Sequence, residues 1–335
     1  MSRRPWELAW HDALYGADGF YRSQAPAEHF RTSVHATALM AGALARLAAE
    51  CGLRRVVDVG SGRGELLTAL ADADPGLSLL GVDVVARPPG LPTSADWLVA
   101  PGGADVGADL DARDALVVAH EWLDDVPCPV LQVDDAGALR VVEVEDDGTE
   151  HLGAAAPVAE REWAARWWPE TRPGARVEVG LPRERAWADL TARAEGSVLL
   201  AVDYAHDREH RPGAGTLIGY RDGRPVPAVP DGGCDITAHV ALDALDALDA
   251  EGGGGVRTTQ RRALQALGVD GARPPPALAT RDPMAYLTAL TRAGEAAELL
   301  DPDGLGGFGW LLVSRGPALP PALRRLDSDR PGSPG

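Results

Sequence analysis

The stretch "VVDVGSGRGELL", Val56 to Leu67, constrains this chain more than any other. A short apolar strand runs into three closely spaced glycines, and a helical pattern follows from Glu65. A turn at the carboxyl end of a parallel strand lies where open α/β sheets bind ligands. Glycines there let backbone N–H groups approach the ligand, and the helix N-terminus adds a partial positive charge. The next apolar run, "LSLLGVD" from Leu77 to Asp83, completes strand, helix and strand within about thirty residues, the unit of a parallel sheet. The expected fold is α/β and Rossmann-like, with a mostly parallel sheet and an elaborated second half.

The spacing of the glycines narrows the ligand. Gly60, Gly62 and Gly64 read G-x-G-x-G, whereas a dinucleotide turn reads G-x-G-x-x-G and would need its third glycine where Glu65 stands. A carboxylate in the first helical turn would face a pyrophosphate badly. A Walker turn fails too, because the chain has no lysine. S-adenosylmethionine, which carries no phosphate but has a nucleoside and an amino-acid end, fits better. Asp58 can reach a cationic ammonium directly or through water, and Asp83 can accept both ribose hydroxyls. The competing reading is a glycine turn that only packs a helix onto a sheet; motif and context together favour the cofactor.

Composition sets outer limits. At 335 residues, with 45% hydrophobic and 24% charged, the chain can bury a large core in one α/β domain or two smaller ones. A net charge of −18 repels phosphate backbones and anionic membranes, which argues against nucleic acid and favours a cationic substrate or partner. Cys51, Cys128 and Cys234 are scattered without metal or redox spacing, and "MSRRPWELAW" has no apolar run of a secretory signal. A cytoplasmic location without membrane association is expected. Absence of lysine and asparagine beside abundant alanine and arginine looks like GC-rich coding, so alanine-rich helices carry little information.

Along the chain, a helix from about Ser33 precedes a strand at 55–59, and "DPG" stops the helix that begins at Glu65. Buried strands are expected at 115–127, 197–205 and 307–315, and hairpins at "VLQVDDAGALRVVEVEDDG" and "TLIGYRDGRPVPAV". Helices are expected near 157–168, 182–195, 237–250, 258–267 and 283–300. "LDALDALDAEGGGG" reads as a surface linker, and the tail from Gly316 as disordered. The expected division is a cap and helix over 1–52, a cofactor-binding core over 53–150, the rest of the core with substrate-binding insertions over 151–315, and a tail over 316–335.

Several blocks, in order over about residues 11 to 315, resemble the MidA family of class I methyltransferases. "ALYGADGFY" and "FRTSVHAT" resemble its "YxPxxGYY" and "FxTSP"; "DVGSGRGELL" matches its cofactor turn. "AHEWLDDVP" resembles "NEFxDALP", "LLAVDYAH" resembles "LLIDYG", and "GGCDITAHV" resembles "PGxxDITAHV". The resemblance implies S-adenosylmethionine binding, and a mitochondrial member that serves complex I assembly is a protein arginine methyltransferase. His120 stands where the family has Asn, and Ala205 where it has Gly. The segment after Asp83 is shortened and the glycine-aspartate before "TS" is missing, so acceptor choice can differ.

The expected cofactor set is Asp58, Gly60, Ser61, Gly62, Gly64, Asp83 and His120, with Thr32 and Ser33 added by family analogy. Methyl transfer from a sulfonium needs alignment of an acceptor lone pair, and carboxylates can hold a guanidinium and take its proton. Glu121 is the first catalytic candidate and Asp124 the second, each weighed against a plain strand-end acid. Asp203 and Tyr204 could line the acceptor pocket. A protein substrate, with arginine in the lead, stands against two alternatives: a small-molecule acceptor, and a non-catalytic assembly factor. His206 and His210, four apart, lack further metal-ligand spacing; Trp163, Trp167 and Trp168 read as core.

Overall fold

The computed structural model describes residues 3–23, 38–252 and 255–328. Its central sheet has seven strands in the spatial order Val256–Thr259, Gly309–Ser314, Val198–Asp203, Leu116–His120, Arg55–Val59, Ser78–Asp83 and Ala95–Val99. The last five of these run parallel. Gly309–Ser314 is antiparallel to both of its neighbours. The sheet is therefore mixed, with four parallel and two antiparallel pairings. Thr259 and Gly309 are register partners, so the helices between them bring the chain back to the edge it left. From that edge a strand can enter the sheet only in the reverse direction.

Both faces of the central strands are buried. Val56, Leu79, Leu116, Leu200 and Leu312 face one apolar layer, while Val57, Val117, Leu199 and Leu311 face the other. This alternation explains why the central strands read as continuous apolar runs: their side chains are buried on both faces. Helices Ala38–Glu50, Glu65–Ala73 and Gln260–Ala266 supply Leu44, Leu67 and Leu264 to the first layer. Helix Leu181–Ala192 supplies Trp187 and Leu190 to the second. Leu67 is fully buried, and truncating such a leucine to alanine costs about 3 kcal/mol.

A five-stranded antiparallel sheet joins Arg4–Pro5, Leu139–Val144, Val130–Val133 and Arg176–Glu178, with Glu150–Ala155 paired to Leu139–Val144. It takes strands from both sides of residue 150, so that position does not separate two sheets. The expected hairpin about Gly137 is present, with φ +81° at that glycine. The second hairpin is Ile218–Arg221 against Arg224–Val226.

Three stretches differ from expectation. Residues 237–250 are not one helix: strands Asp235–Thr237 and Val240–Ala241 lead into a short helix, Leu242–Asp246, and a 3-10 turn over Ala247–Gly252. The "LDALDALDA" stretch is no linker there, because Leu242, Ala244 and Leu245 are buried against the sheet. The tail contains a helix, Pro321–Ser328, which buries Leu323 and follows a buried Leu319. In each case apolar residues at helical spacing found a surface that local composition could not reveal. Thr32 and Ser33, with the start of the helix proposed at Ser33, lie outside the described residues. No described helix is long and apolar enough to cross a membrane.

Candidate active site

The glycine turn closes the carboxyl end of Arg55–Val59. Gly60, Gly62 and Gly64 have φ of +73°, +58° and +77°, the left-handed region that side chains resist. At Gly64 a Cβ would also stand 2.3 Å from Leu91 Cδ2. Gly60 and Ser61 donate their N–H groups to the Val82 carbonyl, which locks the turn to the neighbouring strand. The Gly62 N–H donates to Asp83 Oδ2 at 2.7 Å, and the Val85 N–H to Asp83 Oδ1 at 3.2 Å. Two donors fix the carboxylate while leaving a lone pair on each oxygen for hydroxyls. Ser61 Oγ donates to Asp58 Oδ2 at 2.6 Å. Burial lifts Asp58 to about 7, against the pull of that hydrogen bond, and lifts Asp83 to about 6 against its backbone donors.

Above the turn lies a cavity of about 420 Å³. Asp58, Gly60, Ser61, Gly62, Asp83, His120 and Glu121 all line it, so the structure brings most of the sequence-derived set together. Gly64 stands behind the turn against Leu91, and Asp124 lies deeper. Tyr15 and Tyr21 from the first two helices, Trp6–Tyr15 and Phe20–Ser23, contribute the opposite wall. Gly102 has φ +105°, and a Cβ there would meet Tyr15 at 2.5 Å, so the aromatic ring seats only on a bare backbone.

Glu121 is the most unusual residue of the site. It follows strand Leu116–His120 and adopts φ +50°, a conformation costly for a residue with a Cβ. Its N–H donates to the Val202 carbonyl, which anchors the bend. The side chain is 7% exposed, and Oε1 makes no hydrogen bond, with His120 Nδ1 3.3 Å away. Burial first, then the charges of Asp124 and Asp235, hold Glu121 well above the ordinary carboxylate range.

Behind it is a nest of acids. Thr237 Oγ1 donates to Asp124 Oδ2 at 2.9 Å, and the Asp124 N–H donates to Asp203 Oδ1 at 3.2 Å. Burial, the Asp124 charge and a hydrogen bond between the two carboxyl groups hold Asp203 well above its usual range. Tyr21 donates within reach of both Asp125 and Asp235, at 2.7 Å from Asp235 Oδ1. The Arg183 guanidinium, itself buried, donates to the main-chain carbonyls of Asp124, Val126 and His239, so it braces the loops without neutralising their carboxylates by direct pairing.

The sequence reading missed Tyr21, Asp125, Asp235 and Arg183. Tyr21 and Asp235 fell inside quoted blocks, "GFY" and "GCDIT", and Asp125 is the second acid of "WLDDVP". Position in those blocks was the available signal. Of the remaining candidates, His206 Nδ1 meets Arg211 and His210 Nδ1 meets Asp207, so the two histidines serve different partners. Trp163 and Trp168 are buried in a separate cluster with Leu131 and Val177.

The strand order, with the reversed strand second from one edge, and a glycine turn facing an acid on the next strand define a class I methyltransferase-like fold. The cradle fits S-adenosylmethionine: Gly60 and Gly62 border the cavity without side chains, and Asp83 is oriented with acceptor capacity to spare. Independently of the turn, residues 89–258 match the family described as "Putative S-adenosyl-L-methionine-dependent methyltransferase", and the chain belongs to that family. It is an S-adenosylmethionine-dependent methyltransferase. The fold is similar to a COG1565 superfamily protein from Burkholderia thailandensis bound to S-adenosyl-homocysteine, with TM-score 0.76, 24% identity, and coverage of 96% of this chain and 90% of that one. A native COG1565 superfamily structure from the same organism gives TM-score 0.74 and 26% identity over the same shares. A comparison with curated proteins found no match.

Proposed function

We propose that this methyltransferase is a MidA-type enzyme that methylates a cationic acceptor, foremost a protein arginine side chain. The observation that carries the reading is Glu121: buried, held in a left-handed bend, with an unbonded carboxylate oxygen at the cofactor cavity. Strained backbone of this kind clusters at active sites and ligand clamps. The nest of acids behind it supplies negative potential for a cation, and the chain's net charge of −18 adds long-range attraction.

In this reading Asp83 holds the ribose hydroxyls, Asp58 faces the ammonium directly or through water, and the bare backbone of Gly60 to Gly62 borders the amino-acid tail. His120 packs at the methionine end. When bound, S-adenosylmethionine supplies an electrophilic methyl carbon and leaves as a neutral thioether. Glu121 accepts an N–H of the guanidinium and fixes its plane, so the far nitrogen can align with that carbon. The guanidinium charge favours the ionised form of Glu121, and the carboxylate then takes the proton the acceptor nitrogen releases. A group whose affinity for protons is raised by burial is suited to that task. Asp124 acts from behind, its charge raising the proton affinity of Glu121.

The test is incubation of the protein with labelled S-adenosylmethionine and cell extract, followed by acid hydrolysis to locate the label. Methylarginine is expected, and Glu121→Gln should lower the rate at least a hundredfold while changing S-adenosylhomocysteine affinity less than threefold. Label confined to small molecules, or an unaffected variant, would refute the assignment.

A further inference from the structure

The amino-acid end of S-adenosylmethionine carries a carboxylate as well as an ammonium, and the turn beneath it has no N–H free for an anion. Gly60 and Ser61 donate to the Val82 carbonyl, and Gly64 donates to the Ser61 carbonyl. Gly62 donates to Asp83, and the Arg63 N–H donates to Glu65 Oε2 at 3.1 Å. Every amide from Gly60 to Gly64 is thus engaged within the protein. The Ser61 hydroxyl is engaged too, by Asp58. Charge sharpens the difficulty. Asp58, Glu65, Asp83, Asp105, Glu121 and Asp125 all border the cavity, beside two arginines, Arg22 and Arg63. A carboxylate entering such a ring of acids needs a cation close by.

The other side-chain donors around the cavity have partners. Arg22 places Nε 3.1 Å from the Tyr15 carbonyl and a second nitrogen 3.3 Å from that of Pro101. Tyr15 donates to the Asp125 carbonyl, Tyr21 to the Asp125 and Asp235 carboxyl groups, and Trp122 Nε1 to the Gly103 carbonyl. His120 Nδ1 lies 3.3 Å from Glu121. Arg63 differs. It is exposed at the rim, held between the left-handed Gly62 and Gly64, and its guanidinium makes no hydrogen bond or ion pair among the described residues.

Building on the placement of the amino-acid end over the glycine turn, we infer that Arg63 recognises the cofactor's carboxylate. A planar guanidinium presents two parallel N–H donors to a carboxylate, and a charge-assisted pair of that kind replaces the amides that the turn keeps for itself. Asp58 and Arg63 then read the two charges of the amino-acid end together, ammonium toward the first and carboxylate toward the second. A nucleoside sulfonium without the carboxylate would keep its hold on Asp58 and Asp83 and leave Arg63 unmatched.

The test is calorimetric titration of the full-length protein with S-adenosylmethionine and with its decarboxylated form, which keeps the nucleoside, the sulfonium and the ammonium. Wild-type protein should bind the intact compound at least tenfold tighter. Arg63→Met keeps an unbranched stem and removes the charge. It should weaken S-adenosylmethionine at least tenfold and leave the decarboxylated compound within twofold, which also reports an intact cavity. Arg22→Met should retain the preference for the intact compound. A preference that survives Arg63→Met, equal weakening of both ligands, or a preference lost in Arg22→Met instead would overturn the assignment and leave the cofactor site standing. Failure of wild-type protein to bind either compound would instead remove the cofactor placement on which the assignment rests.

Discussion

The Tyr21 hydroxyl stands 2.7 Å from Asp235 Oδ1 and within hydrogen-bond reach of Asp125 Oδ2 as well. A phenol has one hydrogen to donate, so it cannot satisfy two ionised carboxylates at once. One of the two acids must carry a proton and donate it back to the phenol oxygen. The raised positions of Asp125 and of Asp235, the latter at about 7, agree with that count; burial is the main cause for both. Tyr21 is thereby the clasp that ties the N-terminal helices to the acidic side of the site.

Tyr21→Phe should therefore cost about 2 kcal/mol, the loss of hydrogen bonds to buried charged groups. Urea unfolding of the cofactor-free protein measures it. A change below a few tenths of a kcal/mol would show that the clasp contributes nothing.

Stability should fall as pH rises. Asp58, Asp83 and Asp235 titrate in the folded protein at about 7, 6 and 7, above an unfolded value of about 3.9. Their favourable contribution is complete below the unfolded value and is lost as pH climbs through 6 to 7, because the folded state then binds the extra protons. The unfolding free energy of ligand-free protein should drop by on the order of 2 kcal/mol or more between about pH 5 and pH 8. Asp235→Asn should flatten part of that slope. A rise in stability across the same interval would contradict the burial of these groups.

Gly64→Ala should be severe for a one-carbon change. The left-handed φ of +77° disfavours any Cβ, and the added carbon would overlap Leu91 Cδ2 at 2.3 Å. A loss of about 2 to 3 kcal/mol is expected, with cofactor affinity down at least tenfold. Gly62→Ala, whose Cβ would meet only Glu65 Oε2 at 3.6 Å, should cost less stability. Thermal unfolding of the two variants side by side checks the order; the reverse order would count against the Leu91 contact.

Arg183→Met keeps the length of the side chain and removes its donors. Three main-chain carbonyls, those of Asp124, Val126 and His239, would lose their partner. Destabilisation of about 3 kcal/mol is expected, and at a permissive temperature turnover should fall with cofactor affinity preserved. Cofactor binding lost in proportion to turnover would mean that Arg183 acts on the whole fold and not on the acidic loops.

The glycine turn and Asp83 were legible because their meaning is local: strand, turn and helix follow one another, and the facing acid comes on the very next strand. Glu121 was legible by its place at a strand end. Its left-handed bend was not, since it is anchored to the Val202 carbonyl of strand Val198–Asp203, which lies far along the chain. The Tyr21–Asp125–Asp235 clasp joins positions 104 and 214 residues apart in sequence; no period or spacing encodes such a meeting. The mixed direction of the sheet was hidden for a related reason. An apolar run such as "GWLLVS" reads the same whether it enters a sheet upward or downward, and only the length and path of the preceding helices decide.

That downward entry has an evolutionary consequence. The glycine turn at Gly60 to Gly64 and the segment that leads into Gly309–Ser314 belong to separate stretches of gene, divided by most of the coding length. Insertions or substitutions before Phe308 can therefore accumulate in evolution without touching the glycine turn.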